Sequence, residues 1–190
     1  MTLLTLHAVR LLGFADTEAV AARFRQDRNA VESTLIDAGM NGLVSRSTFD
    51  GTSGWLLTGR GRAENERLLS EELDMPGARP LVFAVHDDFA EFNEGVVSAC
   101  SGIQLGASGG SQEAMDVLIG ALASWRPLEA QLTRELPRFK GYSGRLLHAL
   151  KSSARDPAWL TATDRDSFHR AWFELHEDLI ATLGLQRAQS

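Results

Sequence analysis

The chain has 190 residues, 44% of them hydrophobic, and a formal charge of −6, a composition that fits a soluble globular protein of two small domains or one larger helical one. A single Cys100 excludes an intramolecular disulfide and a multi-cysteine zinc site, so a reducing cytoplasm is the expected compartment. Leu3, Leu4 and Leu6 are followed rather than preceded by Arg10 and no long apolar run occurs, so neither secretion nor membrane insertion is predicted.

Residues 2–14 are predicted to form a first helix, with Leu4, Ala8, Leu11 and Leu12 on one side and Gly13 and Asp16 marking its end and the next start. His7 inside it has no second ligand at helical spacing and is read as structural or solvated. Val20, Phe24, Val31 and Leu35 then recur at the three-to-four-residue intervals that share one helical face. A break at Gln26 divides them into two short helices. Asp27 suits the cap of the second, because a short carboxylate accepts from first-turn amides and matches the positive end of the helix dipole. That helix therefore starts near Arg28, and Gly39 with Asn41-Gly42 supplies its stop. Residues 43–49 and 54–58 alternate like strands, with Asp50-Gly51-Thr52-Ser53 as the hairpin tip between them. Thr58 is placed to cap a charged amphipathic helix through Glu64, Arg67 and Glu71.

Two helices, a hairpin and a capped helix in that order form a winged helix-turn-helix pattern. On the following points residues 16–73 resemble the DNA-binding core of MarR-type winged-helix transcriptional regulators. The recognition helix corresponds to residues 28–38, the strand entry to Gly42-Leu43-Val44-Ser45-Arg46, the wing to residues 49–55, and the next helix to Leu57-Thr58-Gly59-Arg60-Gly61-Arg62. Two points depart from that pattern: Gly39, where the family carries helix formers, and Arg25-Gln26, a turn without the usual glycine.

The DNA contacts expected from this arrangement can be named. Val31, Leu35 and Ala38 point inward, leaving Arg28, Asn29, Glu32, Ser33 and Asp37 outward. Arg28 can bridge two guanine acceptors and Asn29 an adenine edge. Glu32 could accept from cytosine or merely repel phosphate, and the role of Ser33 is left open. Arg46, Arg60 and Arg62 flank the wing and suit phosphate contacts, which position without reading sequence. Thr52 and Ser53 at the hairpin tip are further candidates for DNA contact. The net charge opposes nucleic-acid binding. Locally, however, residues 1–62 hold seven arginines (Arg10, Arg23, Arg25, Arg28, Arg46, Arg60 and Arg62) against six acidic residues.

Residues 74–80 contain two prolines and a glycine and are expected to break the helix, dividing a winged helix-turn-helix domain at residues 1–75 from a helical domain at 81–190. In the second part Val85, Phe89, Phe92, Val96, Cys100 and Ile103 mark one amphipathic helix. The run Gly106-Ala107-Ser108-Gly109-Gly110-Ser111 lacks the preceding strand and the lysine of a phosphate-binding loop and is read as a connector. Met115, Leu118, Leu122, Trp125, Leu128 and Leu132 mark the next helix, where Pro127 is expected to force a kink or a restart, and Pro137 and Gly141 end it. A shorter helix follows through Leu146, Leu147 and Leu150 to Asp156-Pro157. Asp164 is the expected cap of a last helix carrying Phe168, Trp172, Leu175, Leu179 and Leu183. The fold class expected is mainly α with a small β-hairpin wing.

The last helix also holds Asp166, His169, Glu174, His176, Glu177 and Asp178. His169 and His176 lie two turns apart on one side, so a metal there, with His86 or Asp87 as a further ligand, is one reading, and histidines at a core edge are the other. No nucleophile elbow, dinucleotide fingerprint or metalloprotease helix occurs, so no enzyme is expected. The aromatic residues Phe89, Phe92, Trp125, Trp159, Phe168 and Trp172 are core material or the lining of an effector pocket. The function expected is a cytoplasmic homodimeric transcriptional regulator that binds double-stranded DNA, needs no cofactor and responds to a small effector. Leu4, Leu11 or the helix from Glu64 to Leu73 is the expected dimer seam. The alternatives are a winged-helix protein-interaction module without DNA binding, and a metal-dependent sensor.

Overall fold

The computed structural model describes residues 2–49, 51–106 and 111–185. They form a mainly α-helical chain with one small antiparallel hairpin, in the order α1 (Thr2–Leu12), α2 (Thr17–Arg23), α3 (Arg28–Met40), β1 (Val44–Phe49), β2 (Thr52–Leu57) and α4 (Gly59–Glu72). Then come α5 (Ala78–Gln104), α6 (Ser111–Glu135), a 3-10 turn (Pro137–Phe139), α7 (Tyr142–Ser153), α8 (Ala158–Thr161) and α9 (Phe168–Leu183). The chain divides into two compact units, residues 1–76 with 181–190 and residues 77–180.

In the first unit the caps fall where short polar side chains precede each helix. Asp16 accepts from the Ala19 amide at 2.8 Å and Asp27 from the Ala30 amide at 2.9 Å, each satisfying a first-turn donor that has no partner inside the helix. Between α2 and α3 the chain reverses at Arg25, whose φ of +53° is left-handed. An arginine thus occupies the conformation that the missing turn glycine would take, at a steric cost of about 1 kcal/mol or more. α3 continues through Gly39 to Met40, two residues beyond the expected end at Ala38, and Gly42 at φ +69° turns the chain out.

The core of this unit is one cluster. Leu6 and Val9 of α1, Val20 of α2, and Val31 and Leu35 of α3 are fully buried with Val44 and Trp55 of the hairpin, and Phe24, Leu43 and Leu57 pack on its edge. Leu11 is buried at 8% exposure, so it is not open to form a dimer seam, while Leu4 is half-buried. His7 is buried, with Nδ1 3.4 Å from Asn65 Oδ1 and its ring stacked on Phe24, a structural role that ties α1 to α4.

The hairpin is longer than its sequence pattern suggests. Phe49 pairs with Thr52 and Thr48 with Ser53, so Thr52 and Ser53 belong to β2 rather than to the tip. Gly51 turns at φ +75°, and Asp50 lies outside the described residues. The root of the hairpin is fixed by backbone bonds between Ala15 and Trp55, at 2.8 and 3.3 Å. A Cβ on Gly54 would stand 2.6 Å from the Phe14 ring and 3.1 Å from the Ala15 carbonyl oxygen, so any larger residue would have to displace that ring. Trp55 completes the joint by donating its indole N–H to Thr17 Oγ1 at 3.1 Å.

In the second unit proline proves less disruptive than expected. Pro80 sits in the first turn of α5, where a missing N–H leaves no helical bond unmade. Pro127 lies inside an uninterrupted α6 instead of restarting it. The expected connector falls largely on residues 107–110, outside the described residues. Ser167, not Asp164, caps α9, since its hydroxyl accepts from the Arg170 amide at 3.2 Å, and Asp164 is occupied by Arg165. Phe89, Trp125, Phe168 and Trp172 are buried against one another, with the Phe89 and Trp172 rings stacked at 4.8 Å. They are core side chains.

α4 meets the hairpin root at its tightest point. A Cβ on Gly61 would lie 1.8 Å from the Leu43 carbonyl oxygen, whereas one on Gly59 would meet nothing within 4 Å. Gly61→Ala should therefore destabilise the first unit by about 3 kcal/mol or more, the upper end for forced overpacking, and Gly59→Ala should not. Urea unfolding of the two variants, followed by Trp55 fluorescence and circular dichroism, tests this; equal midpoints would refute the close approach.

Candidate nucleic-acid interface

The outward face of α3 carries the residues its periodicity predicts. Arg28, Asn29 and Ser33 are exposed and Glu32 is half-buried, opposite the buried Val31, Leu35 and Ala38. The Ser33 hydroxyl donates to the Asn29 carbonyl at 3.1 Å, which turns it back onto its own helix. Arg28 is not the open fork expected of a base reader. Its Nε lies 3.3 Å from Glu18 of α2 and its Nη1 3.5 Å from Glu32 one turn on. The start of this helix is thus a three-charge cluster with two carboxylates, and Asp37 adds another negative charge to the exposed side.

The same face holds apolar side chains that charge-centred reading of the sequence overlooks. Ile36 is 50% exposed and Met40 76%, and Phe49 at the end of β1 is also 76% exposed. The signal was present: positions 32, 36 and 40 follow one another at four-residue steps, so whatever places Glu32 outward places Ile36 and Met40 outward too.

Three further arginines lie on the hairpin and the first turn of α4, where Arg60 helps to hold the Glu64 carboxyl below its ordinary range behind the larger effect of Arg67. Arg46 is exposed on β1, with its guanidinium 5.5 Å from the centre of the Trp55 ring, an arrangement that holds the stem while leaving charge outward. Arg60 and Arg62 are exposed in the first turn of α4. Their backbone is set by Thr58, whose hydroxyl donates to the Gly42 carbonyl at 2.7 Å and accepts from the Gly61 amide at 3.0 Å. Thr52 and Ser53 are exposed on β2, Ser53 bonded through its hydroxyl to Thr48 at 3.0 Å. Arg10 is held by Glu66 at 3.0 Å, and Arg23 lies over the Phe24 ring.

In the helical unit the acidic cluster of α9 has a structural occupation. Arg145 of α7 forks onto Asp166, with Nε–Oδ2 at 2.9 Å and Nη2–Oδ1 at 2.6 Å, and reaches Glu174 with Nη1 at 2.8 Å. Burial works against its charge, but the hydrogen bonds and fields of Asp166 and Glu174 outweigh it and raise its pKa. Deeper, Arg138 pairs with the fully buried Asp178, which also accepts from the Tyr142 hydroxyl at 2.9 Å. Glu129 accepts from the amides of Gly141 and Ser143, at 2.5 and 3.0 Å, and so closes the turn into α7.

The two histidines expected around a metal are engaged otherwise. The His169 ring lies 6.3 Å from Phe173 and the His176 ring 5.4 Å from Phe89, while His86 neighbours Asp87 at 3.6 Å. Among the described residues no three His, Cys, Asp or Glu side chains converge as a metal set requires. Likewise no helix among them is long and apolar enough to cross a membrane. Compared with protein-family models, curated proteins and solved structures, the chain has no match.

Two expectations follow from the buried groups. Arg138→Leu leaves the Asp178 carboxylate buried without its cation and should cost about 3–5 kcal/mol, whereas replacing both partners by apolar residues should recover most of it; urea unfolding of the single and double variants measures the difference. Burial also pushes the Cys100 thiol up to about 11. Because the thiolate is the reactive form, Cys100 should resist a disulfide reagent at neutral pH in the native protein and react only as the chain unfolds, and prompt native-state labelling would contradict this.

Proposed function

We propose that the first unit binds double-stranded DNA and that the chain acts as a homodimeric, effector-responsive transcriptional regulator resembling the MarR type. The observation that carries this reading is the exposed set Arg46, Arg60 and Arg62 on the hairpin and on the first turn of the helix behind it. Arginine presents paired donors to phosphate oxygens, and phosphate contact supplies most of the affinity of such proteins. Asn29 is the base reader left unencumbered at the start of α3, with Arg28 joining it only after releasing Glu18 and Glu32. Binding is therefore expected to be carried by the backbone, with modest sequence preference from one protomer. Two copies on a pseudo-palindromic site would multiply it, since paired recognition helices one helical turn apart read two half-sites. A cytoplasmic location and a freely soluble dimer belong to this reading.

A second reading is favoured by a specific observation. Ile36, Met40 and Phe49 are exposed apolar side chains on the α3 and wing side, and carboxylates neutralise Arg28. A winged-helix module that grips a protein partner would have this mixture, because interface centres are depleted in charge and enriched in aromatic and methionine side chains.

The two readings separate in one experiment, fluorescence anisotropy of labelled random duplex DNA across a salt series. The DNA reading expects affinity to fall steeply with salt, and Arg60→Ala to make the slope of log K against log salt shallower by about one. Arg28→Ala should change affinity less than Arg60→Ala, because its charge is already partnered. A folded protein that binds no duplex even at low salt would refute the DNA reading and leave the protein-partner reading standing.

A further inference from the structure

The helical unit carries a groove that neither the wing nor the buried ion network uses. It lies between α6 and α7 and has a volume of about 360 Å³, near the lower end of the range for small-molecule sites. Met115, Ile119 and Leu122 of α6 face Leu147 and Leu150 of α7 across it. Ile119 is 51% exposed, so this apolar lining is open to solvent rather than sealed into the core. Arg126 and Lys151 are the charged members of the lining, and both are exposed. Neither makes an ion pair among the described residues. Lys151 also lines a neighbouring cleft of about 390 Å³, with Arg155 and Trp159.

We propose that this groove binds a small amphipathic anion, an apolar chain or ring bearing one carboxylate. The apolar body would lie against Ile119, Leu122, Leu147 and Leu150, and the carboxylate would meet Arg126 and Lys151. Each half of the ligand answers one half of the site. A purely polar anion would leave the apolar lining in water, and a neutral apolar molecule would leave both cations without an anion. A protein helix would need a longer apolar track than these few side chains offer. The site stands apart from the DNA reading, since every residue in it belongs to the second unit.

The test uses the full chain and calorimetric titration with three probes: octanoate, which has both features; 1-octanol, which has the tail alone; and propionate, which has the charge with almost no tail. Octanoate should saturate at one per chain, 1-octanol should bind about tenfold more weakly, corresponding to roughly 1.4 kcal/mol, and propionate should not bind. Arg126→Gln with Lys151→Gln should bring octanoate down to the level of 1-octanol. Ile119→Asp should abolish binding of both. Both substitution sets are at exposed positions, and an unchanged far-UV spectrum establishes that each variant is folded; the single variants Arg126→Gln and Lys151→Gln provide the same comparison separately. The proposal is overturned by absence of saturable octanoate binding, by equal affinity for 1-octanol, or by full octanoate affinity in the double variant. Co-sedimentation with phosphatidylglycerol vesicles that disappears in the double variant would also overturn it, since a membrane surface would then be what those cations meet.

Discussion

The contact on which the wing depends is the approach of the Gly61 Cα to the Leu43 carbonyl. With no side chain at Gly61, α4 reaches the strand entry at a distance that any Cβ would forbid. Thr58 then fastens the joint from both sides, capping α4 through the Gly61 amide and donating to the carbonyls of Gly42 and Leu43. Three things follow from the one approach: where α3 ends, where β1 begins, and which way Arg60 and Arg62 leave the first turn of α4.

Arginine does two different jobs in this chain, and burial decides which. In the helical unit Arg138 and Arg145 sit inside, where a charge without a partner would be costly, and each is answered by carboxylates of the last helix or the turn before it. There the charge serves to fix α7 and α9 in register. In the first unit Arg46, Arg60 and Arg62 are exposed, where ion pairs contribute little to stability. Their exposure, rather than the overall charge of −6, is what the proposed phosphate partner would use.

The sequence made the local order legible and left the long-range partners unread. Caps at Asp16, Asp27 and Thr58 and the buried sides of α1 to α3 follow from rules acting over three or four residues, so the helices of the first unit could be placed closely. The break expected at residues 74–80 does separate α4 from α5, but Pro80 falls inside the first turn of α5 and Pro127 does not restart α6, because a proline's effect depends on its position in a helix. Thr52 and Ser53 were assigned to the tip because the hairpin register is set by pairing across the turn, which a single strand pattern does not reveal. The partners of the acidic residues in and before α9 could not be read, because Arg138 and Arg145 lie 40 and 21 residues from Asp178 and Asp166 respectively. No spacing rule reaches that far. The groove between α6 and α7 was hidden for the same reason, since its two walls come from separate helices.

In the proposed DNA reading, what decides the behaviour of the α3 face is how its charges balance beside a duplex. The pairs that Arg28 makes with Glu18 and Glu32 are exposed, and pairs of that kind are worth about 0–1 kcal/mol each. Releasing Arg28 is therefore affordable energetically. Releasing it does not remove the carboxylates, however, and Glu32 and Asp37 remain on the exposed side of the helix beside any phosphate that approaches. Salt screens that repulsion and the arginine attraction alike, over about 8 Å at physiological ionic strength. The sign of the net field then rests on geometry: three arginines at the wing and at the start of α4 against carboxylates along α3. A duplex seated towards the wing, with α3 contributing Asn29 rather than its whole length, keeps the arginines close and the carboxylates far. The same seating leaves Ile36 and Met40 uncovered by phosphate, where apolar contact with base methyl groups or with a second protein is the chemistry they can offer.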